Sequence, residues 1–95
     1  MFMGCVGQDK HAEIIKDKAS EIGLNTLFQV TDKASSATCA VLLTGKQRSL
    51  VCHLGAANYF TADFLFQGSN WSLIESNQIF YITVVFFFIC PPALF

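Results

Sequence analysis

Charge is scarce in this sequence. Lys, Arg, Asp and Glu make up 14% of its 95 residues, against about 25% in a typical soluble domain. They nearly cancel, leaving a formal net charge of −1, so no basic stripe exists to neutralise phosphates and no nucleic-acid partner is expected. Metal chemistry lacks material too. Cys5, Cys39, Cys52 and Cys90 include no CxxC pair, and His11 and His53 complete no ligand spacing, so no metal site is expected. The opening MFMGCVGQDK has neither the basic n-region nor the long apolar h-region of a secretory leader. Reduced thiols in a cytoplasmic protein are therefore expected, and the sequon Asn70-Trp71-Ser72 carries no glycan. Met3-Gly4-Cys5 hints at lipidation, but Gln8 stands where Ser or Thr is required. Long apolar runs are missing as well. A spanning helix needs about 20 apolar residues, whereas Ile79–Cys90 ends after twelve at Pro91-Pro92, which interrupts a helix.

The surplus is hydrophobic. Apolar residues reach 53%, and a domain this short buries only roughly 60–65% of its unfolded surface. The excess points to a partner, a membrane, or a larger protein of which the chain is a piece.

Along the chain, Phe2–Val6 reads as a strand running into a turn at Gly7. Asp9 is an N-cap, its carboxylate able to accept from free backbone N–H groups. Ala12, Ile15, Ala19 and Ile22 recur at helical spacing on one apolar face, and Gly23 stops the helix. Leu24–Val30 predicts a strand and Thr31–Ser36 a polar connection. Asn70 or Ser69 caps a short helix through Trp71–Ser76. Ile79–Cys90, rich in aromatic and β-branched residues, predicts a strand buried on both faces. Strand, helix and strand at this spacing argue for βα units and an α/β fold.

The stretch Ser35–Asn58 carries the most specific signal. Two apolar segments flank Gly45-Lys46, and a two-residue loop with Gly first gives a type II′ hairpin with Thr44 opposite Gln47. Cys39 then faces Cys52, Val41 faces Leu50, and Leu43 faces Arg48. Strand alternation puts these six on one side. Arg48 and Cys52 lie about 13 Å apart along the strand, a nucleoside-scale spacing with an apolar floor for a base and a cation for phosphate. On the residues alone, Arg48 is equally a solvated cation beside a turn. Cys39 and Cys52 are small buried hydrophobes, whose cross-strand placement allows a disulfide on oxidation. Asp9 is a cap rather than an acid or base, and Trp71 and Phe86–Phe88 are core.

Several groups of residues carry a resemblance: Gly4-Cys5-Val6-Gly7-Gln8-Asp9-Lys10, Ala37-Thr38-Cys39-Ala40, Arg48-Ser49-Leu50-Val51, Leu54-Gly55-Ala56-Ala57-Asn58, Asn70-Trp71 and Tyr81-Ile82. The chain resembles an internal segment of the eukaryotic adenosine kinases, among the ribokinase-like sugar and nucleoside kinases. The resemblance implies a ribokinase-like α/β fold, here a partial α/β core with a β-hairpin lid. The expected organisation is one incomplete domain over 1–95, with core pieces at 2–30 and 70–92 and the lid hairpin at 35–58.

The activity so implied is transfer of phosphate from ATP to the 5′-hydroxyl of adenosine, giving AMP, with Mg²⁺. Cys39, Leu50 and Cys52 then contact the nucleoside, Val85 stands at the floor of the base site, and Arg48 stabilises the transferred phosphate. Partners would be adenosine and ATP, and the compartment cytoplasmic, with the nucleus also open. Ala37 replaces a glycine of the family's lid hinge, which restricts the backbone there. The family's ribose-holding aspartate and Gly-Asn motifs, and its G-A-G-D segment with the catalytic base and ATP site, do not occur in these residues. The isolated chain is therefore expected to be inactive. Two further readings stand beside this one: a non-catalytic remnant or module that pairs with a full-length kinase through exposed sheet edges, and a small membrane-associated protein using Ile79–Phe95.

Overall fold

The computed structural model describes residues 1–83. It opens with β1 (Phe2–Val6), α1 (Lys10–Glu21) and β2 (Thr26–Val30). The two strands are parallel neighbours, with Phe2 opposite Thr26 and Val6 opposite Val30, a pairing that requires the crossover α1 provides. Asp9 Oδ1 accepts from the Ala12 N–H at 2.9 Å, capping the helix. At the other end the Gly23 N–H donates to Ser20 O at 3.1 Å and the Leu24 N–H to Ala19 O at 2.9 Å. With Gly23 at φ +73°, this is a Schellman stop.

Cys5 and Val6 of β1 and Ala12 and Ala19 of α1 are buried. Ile15 and Ile22, expected on the same helical face, remain exposed, Ile22 to 77%. The reason is width. Two strands about 4.8 Å apart cannot cover the flank of a helix roughly 10 Å across, so only its central stripe is buried.

β3 (Thr38–Thr44) and β4 (Gln47–His53) form an antiparallel hairpin. Gly45 has φ +60°, and no non-glycine among the described residues has a positive φ. A left-handed first position followed by an ordinary second is the type II′ pattern. The pairing is the one expected: Cys39 opposite Cys52, Val41 opposite Leu50, Leu43 opposite Arg48, Thr44 opposite Gln47. All residues from 37 to 53 are exposed, so Cys39 and Cys52 are not the buried hydrophobes that thiols usually are. A two-stranded ribbon has no second layer to bury either face. A 3₁₀ turn at Gly55–Tyr59 follows, packing on β1 and burying Ala56 completely.

The chain divides into two compact units, the first Met1–Tyr59 and the second beginning at Phe60. The second holds α2 (Ala62–Phe66), which the sequence did not announce, and α3 (Asn70–Glu75). Ser69 occupies the N-cap position of α3 without a side-chain bond, while Asn70 Nδ2 donates to Phe64 O at 2.7 Å. Trp71, expected in a core, is 40% exposed. Its ring stacks on Phe66 with centroids 4.9 Å apart, and its Nε1–H donates to Glu75 Oε1 at 2.7 Å.

The buried strand expected over Ile79–Cys90 is absent from its described part. Residues 79–83 form no strand, and Ile79 and Tyr81 are 89% and 92% exposed. A doubly buried strand needs paired neighbours for its backbone groups, and no described strand pairs with this segment. Residues 84–90, with Phe86–Phe88, lie outside the described residues. Among the described residues, no helix is long and apolar enough to cross a membrane.

Candidate functional site

The hairpin register brings Cys39, Val41, Leu43, Arg48, Leu50 and Cys52 to one face of β3–β4. Cys39, Leu50, Cys52 and Arg48 are thus assembled on one surface, whereas Val85 lies outside the described residues. Arg48 sits one pair from the turn, opposite Leu43. It is exposed and engages no partner among the described residues, so its five guanidinium donors are available to an oxyanion. At the far end of the face, a hydrogen bond to the Cys52 thiol, then desolvation and the charge Cys52 can carry, push the Cys39 thiol above the ordinary cysteine range. Between them Val41 and Leu50 supply an aliphatic floor.

The base of the hairpin is built differently. Ser36, just before β3, is 1% exposed. Its N–H donates to Asp9 Oδ2 at 2.6 Å and its hydroxyl to Asp9 Oδ1 at 2.8 Å. The same hydroxyl oxygen accepts from the Gly7 N–H at 3.0 Å. Asp9 is therefore more than a helix cap, since both carboxylate oxygens are committed to the start of β3. The Ser36 N–H, then the Ala12 N–H and the Ser36 hydroxyl, hold its carboxyl below the usual aspartate range, with His11 adding a smaller push in that direction.

Glycine is required at two points of this base by close approach. A Cβ on Gly7 would lie 2.5 Å from Ala34 O and 2.9 Å from Ser36 N. Gly55, just past β4, has φ +46°, and a Cβ there would run into Ser35 O. That carbonyl accepts from the Ala56 N–H at 2.7 Å, tying the exit of the hairpin to its entry. Ala37 has no positive φ, so alanine meets no strain where the resemblance puts a hinge glycine.

Sequence reasoning missed this cluster. It assigned Asp9 to α1 alone and read Thr31–Ser36 as a plain polar connection. The one available signal was stoichiometric: a carboxylate has about four acceptor sites, and an N-cap uses one.

Magnesium, implied by the resemblance, does not fit the donor set present. No group of three His, Cys, Asp or Glu among the described residues could hold a metal ion, and both oxygens of the Asp9 carboxylate already accept from protein donors. No chemical step through magnesium is therefore assigned to these residues.

A parallel pair with a helical crossover and a solvent-facing hairpin tied to it make up a partial α/β core with an attached ribbon. The pfkB family carbohydrate kinase profile matches residues 1–94, and the chain belongs to that family. It is 37% identical over 94 residues to adenosine kinase of Saccharomyces cerevisiae, covering 99% of this chain and 27% of that protein. Its structure superposes on Anopheles gambiae adenosine kinase in complex with P1,P4-di(adenosine-5) tetraphosphate. There the TM-score is 0.92 and the identity 40%, over 97% of this chain and 28% of that one. Adenosine kinase from Schistosoma mansoni, in complex with adenosine in an occluded loop conformation, gives a TM-score of 0.89 at 32% identity. That match covers 97% of this chain and 26% of the other. The chain thus spans about a quarter of the length of the relatives it matches, and its fold is ribokinase-like.

Proposed function

We propose that the hairpin is the nucleoside-covering lid of an adenosine kinase. In this reading the chain contributes to transfer of phosphate from ATP to the 5′-hydroxyl of adenosine, giving AMP. The observation that carries the reading is the single exposed face holding Cys39, Leu50, Cys52 and Arg48. Cys39, Leu50 and Cys52 cover the nucleoside by apolar contact. Arg48, about 13 Å along the strand from Cys52, stabilises charge on the transferred phosphate, and the strands between them exclude water from the reacting oxygens. Val85 belongs to the floor of the base site in the same proposal. So does the organisation as one incomplete domain, with core pieces at 2–30 and 70–92 and a lid at 35–58. The compartment that fits is the cytoplasm, with the nucleus the alternative.

The test is a chimera in which this chain replaces the matching segment of the yeast relative. Arg48→Ala in that chimera is expected to lower kcat by about 10²–10³, the scale of losing one oxyanion donor, with a smaller change in the KM for adenosine. An unchanged kcat in an active chimera removes Arg48 from phosphate chemistry.

A second reading, a non-catalytic module that pairs with another chain, draws on a different observation. Among the described residues both sheets have two strands, so each leaves edges unpaired there, and Val41, Leu42, Leu43, Leu50 and Val51 are all more than half exposed. Open edges and apolar surface favour association. Binding of a hydrophobic dye by the purified chain is expected here, and a cooperative, dye-free melt contradicts it.

A further inference from the structure

Cys39 and Cys52 are direct cross-strand partners, and both thiols are exposed and free. Their position in the ladder follows from the turn. Thr44 and Gln47 close a two-residue loop and therefore form a hydrogen-bonded pair, after which the pair type alternates along an antiparallel ribbon. Cys39–Cys52 is five pairs further on, which makes it a non-hydrogen-bonded pair. Such pairs hold their Cα atoms about 4.5 Å apart, inside the roughly 4.4–6.8 Å range that a disulfide bridges but at its short end.

Nothing competes for this pairing among the described cysteines. Cys5 is buried in β1, out of reach of a solvent-borne oxidant.

We propose that Cys39 and Cys52 form a redox-labile dithiol, a modification site that peroxide converts to a disulfide across the hairpin. A thiolate at one cysteine attacks a peroxide oxygen, the O–O bond breaks, and the departing hydroxide takes a proton to leave as water. The sulfenic acid so formed is attacked by the second thiolate, an S–S bond forms, and the sulfenic oxygen leaves as a second water. Two thiols lose two electrons and two protons, and one peroxide becomes two waters. Because the bond closes at the short end of its range and faces solvent, it is reducible by thiols rather than structural. The chemistry does not depend on the hairpin covering a nucleoside, since it needs only the register and the exposure.

The test uses the whole folded chain treated with hydrogen peroxide, then alkylated under denaturing conditions, digested and weighed. Trypsin cuts after Lys46 and Arg48, between the two cysteines, and chymotrypsin cuts after Phe60, between Cys52 and Cys90, so a digest with both proteases reads the bond as two linked peptides and tells Cys52 from Cys90. The expected result is a dominant Cys39–Cys52 link, lost on treatment with dithiothreitol. It should form faster in the folded chain than in urea, where only loop length favours this pair. Cys39→Ser is expected to abolish the link and leave Cys52 as a sulfenic acid that dimedone traps. An equal rate in urea, or a dominant link through Cys5 or Cys90, overturns the proposal.

Discussion

Removing the hydroxyl of Ser36 tests the architecture of the hairpin base most directly. In Ser36→Ala the Gly7 N–H loses the oxygen it donates to at 3.0 Å, and Asp9 Oδ1 loses a donor at 2.8 Å. The site is 1% exposed, so water cannot take over without the base opening. Leaving a buried donor without a partner costs about 1–3 kcal/mol, and the middle of that range, about 2 kcal/mol, is a factor of roughly 30 in an opening equilibrium. Amide hydrogen exchange reads this locally. Protection of the Gly7 amide is expected to fall by about 30-fold. The Ala12 amide, whose bond to Asp9 Oδ1 at 2.9 Å survives, should retain most of its protection. A Gly7 amide as well protected in the variant as in the parent refutes the reasoning, because the Ser36 hydroxyl would then not be its essential acceptor.

Two more outcomes follow from the same base. Gly55→Ala forces a Cβ at φ +46° against Ser35 O and should destabilise the first unit by more than 1 kcal/mol, on the order of the left-handed cost alone. Gly4→Ala, whose Cβ would meet Phe2 and Phe28 at 3.6 and 3.8 Å, should be neutral or slightly stabilising; thermal melts of the two variants separate them, and equal shifts would contradict the close-approach argument. The pH dependence carries a definite sign. The Asp9 carboxyl is held below its ordinary value in the folded chain, so the unfolded state binds more protons between the two pKa values and stability rises with pH through that window. The contribution is complete above the unfolded aspartate value near 3.9 and is lost as pH falls through the lower folded value. Asp9→Asn should flatten this acid limb in a urea titration, and an unchanged limb would assign it to other carboxylates.

The hairpin was legible in the sequence because its determinants are local. Gly45 must supply a positive φ, and once the turn is placed the period of two assigns every pair from Cys39–Cys52 to Thr44–Gln47. The first helix was legible for the same reason, with Asp9 and Gly23 marking its ends. Ser36 was not, because its meaning depends on partners 27 and 29 residues away, and nothing in its neighbourhood signals them. Ile15 and Ile22 failed from the opposite direction. Their spacing correctly makes a helical face, but burial depends on how many strands lie beneath it, which no local pattern contains. The run beginning at Ile79 was read from composition, which states what a segment could bury and not what stands beside it.

The base of the hairpin explains why so exposed a ribbon holds one register. A two-stranded hairpin is marginal alone in water, and this one has no covered face between residues 37 and 53. Its entry and exit are nevertheless anchored at almost one point. Ser36 is bonded through both N–H and hydroxyl to Asp9, and the adjacent Ser35 carbonyl receives the Ala56 N–H. Asp9 is itself fixed by the first turn of α1, so the anchor is as rigid as the helix start. Ends fixed together remove the loop-closure cost that a free hairpin bears, leaving the turn and cross-strand pairs to decide the register. Ala37, between anchor and ribbon, stays in ordinary backbone space. Arg48 and the thiol pair therefore sit on one ribbon of fixed register.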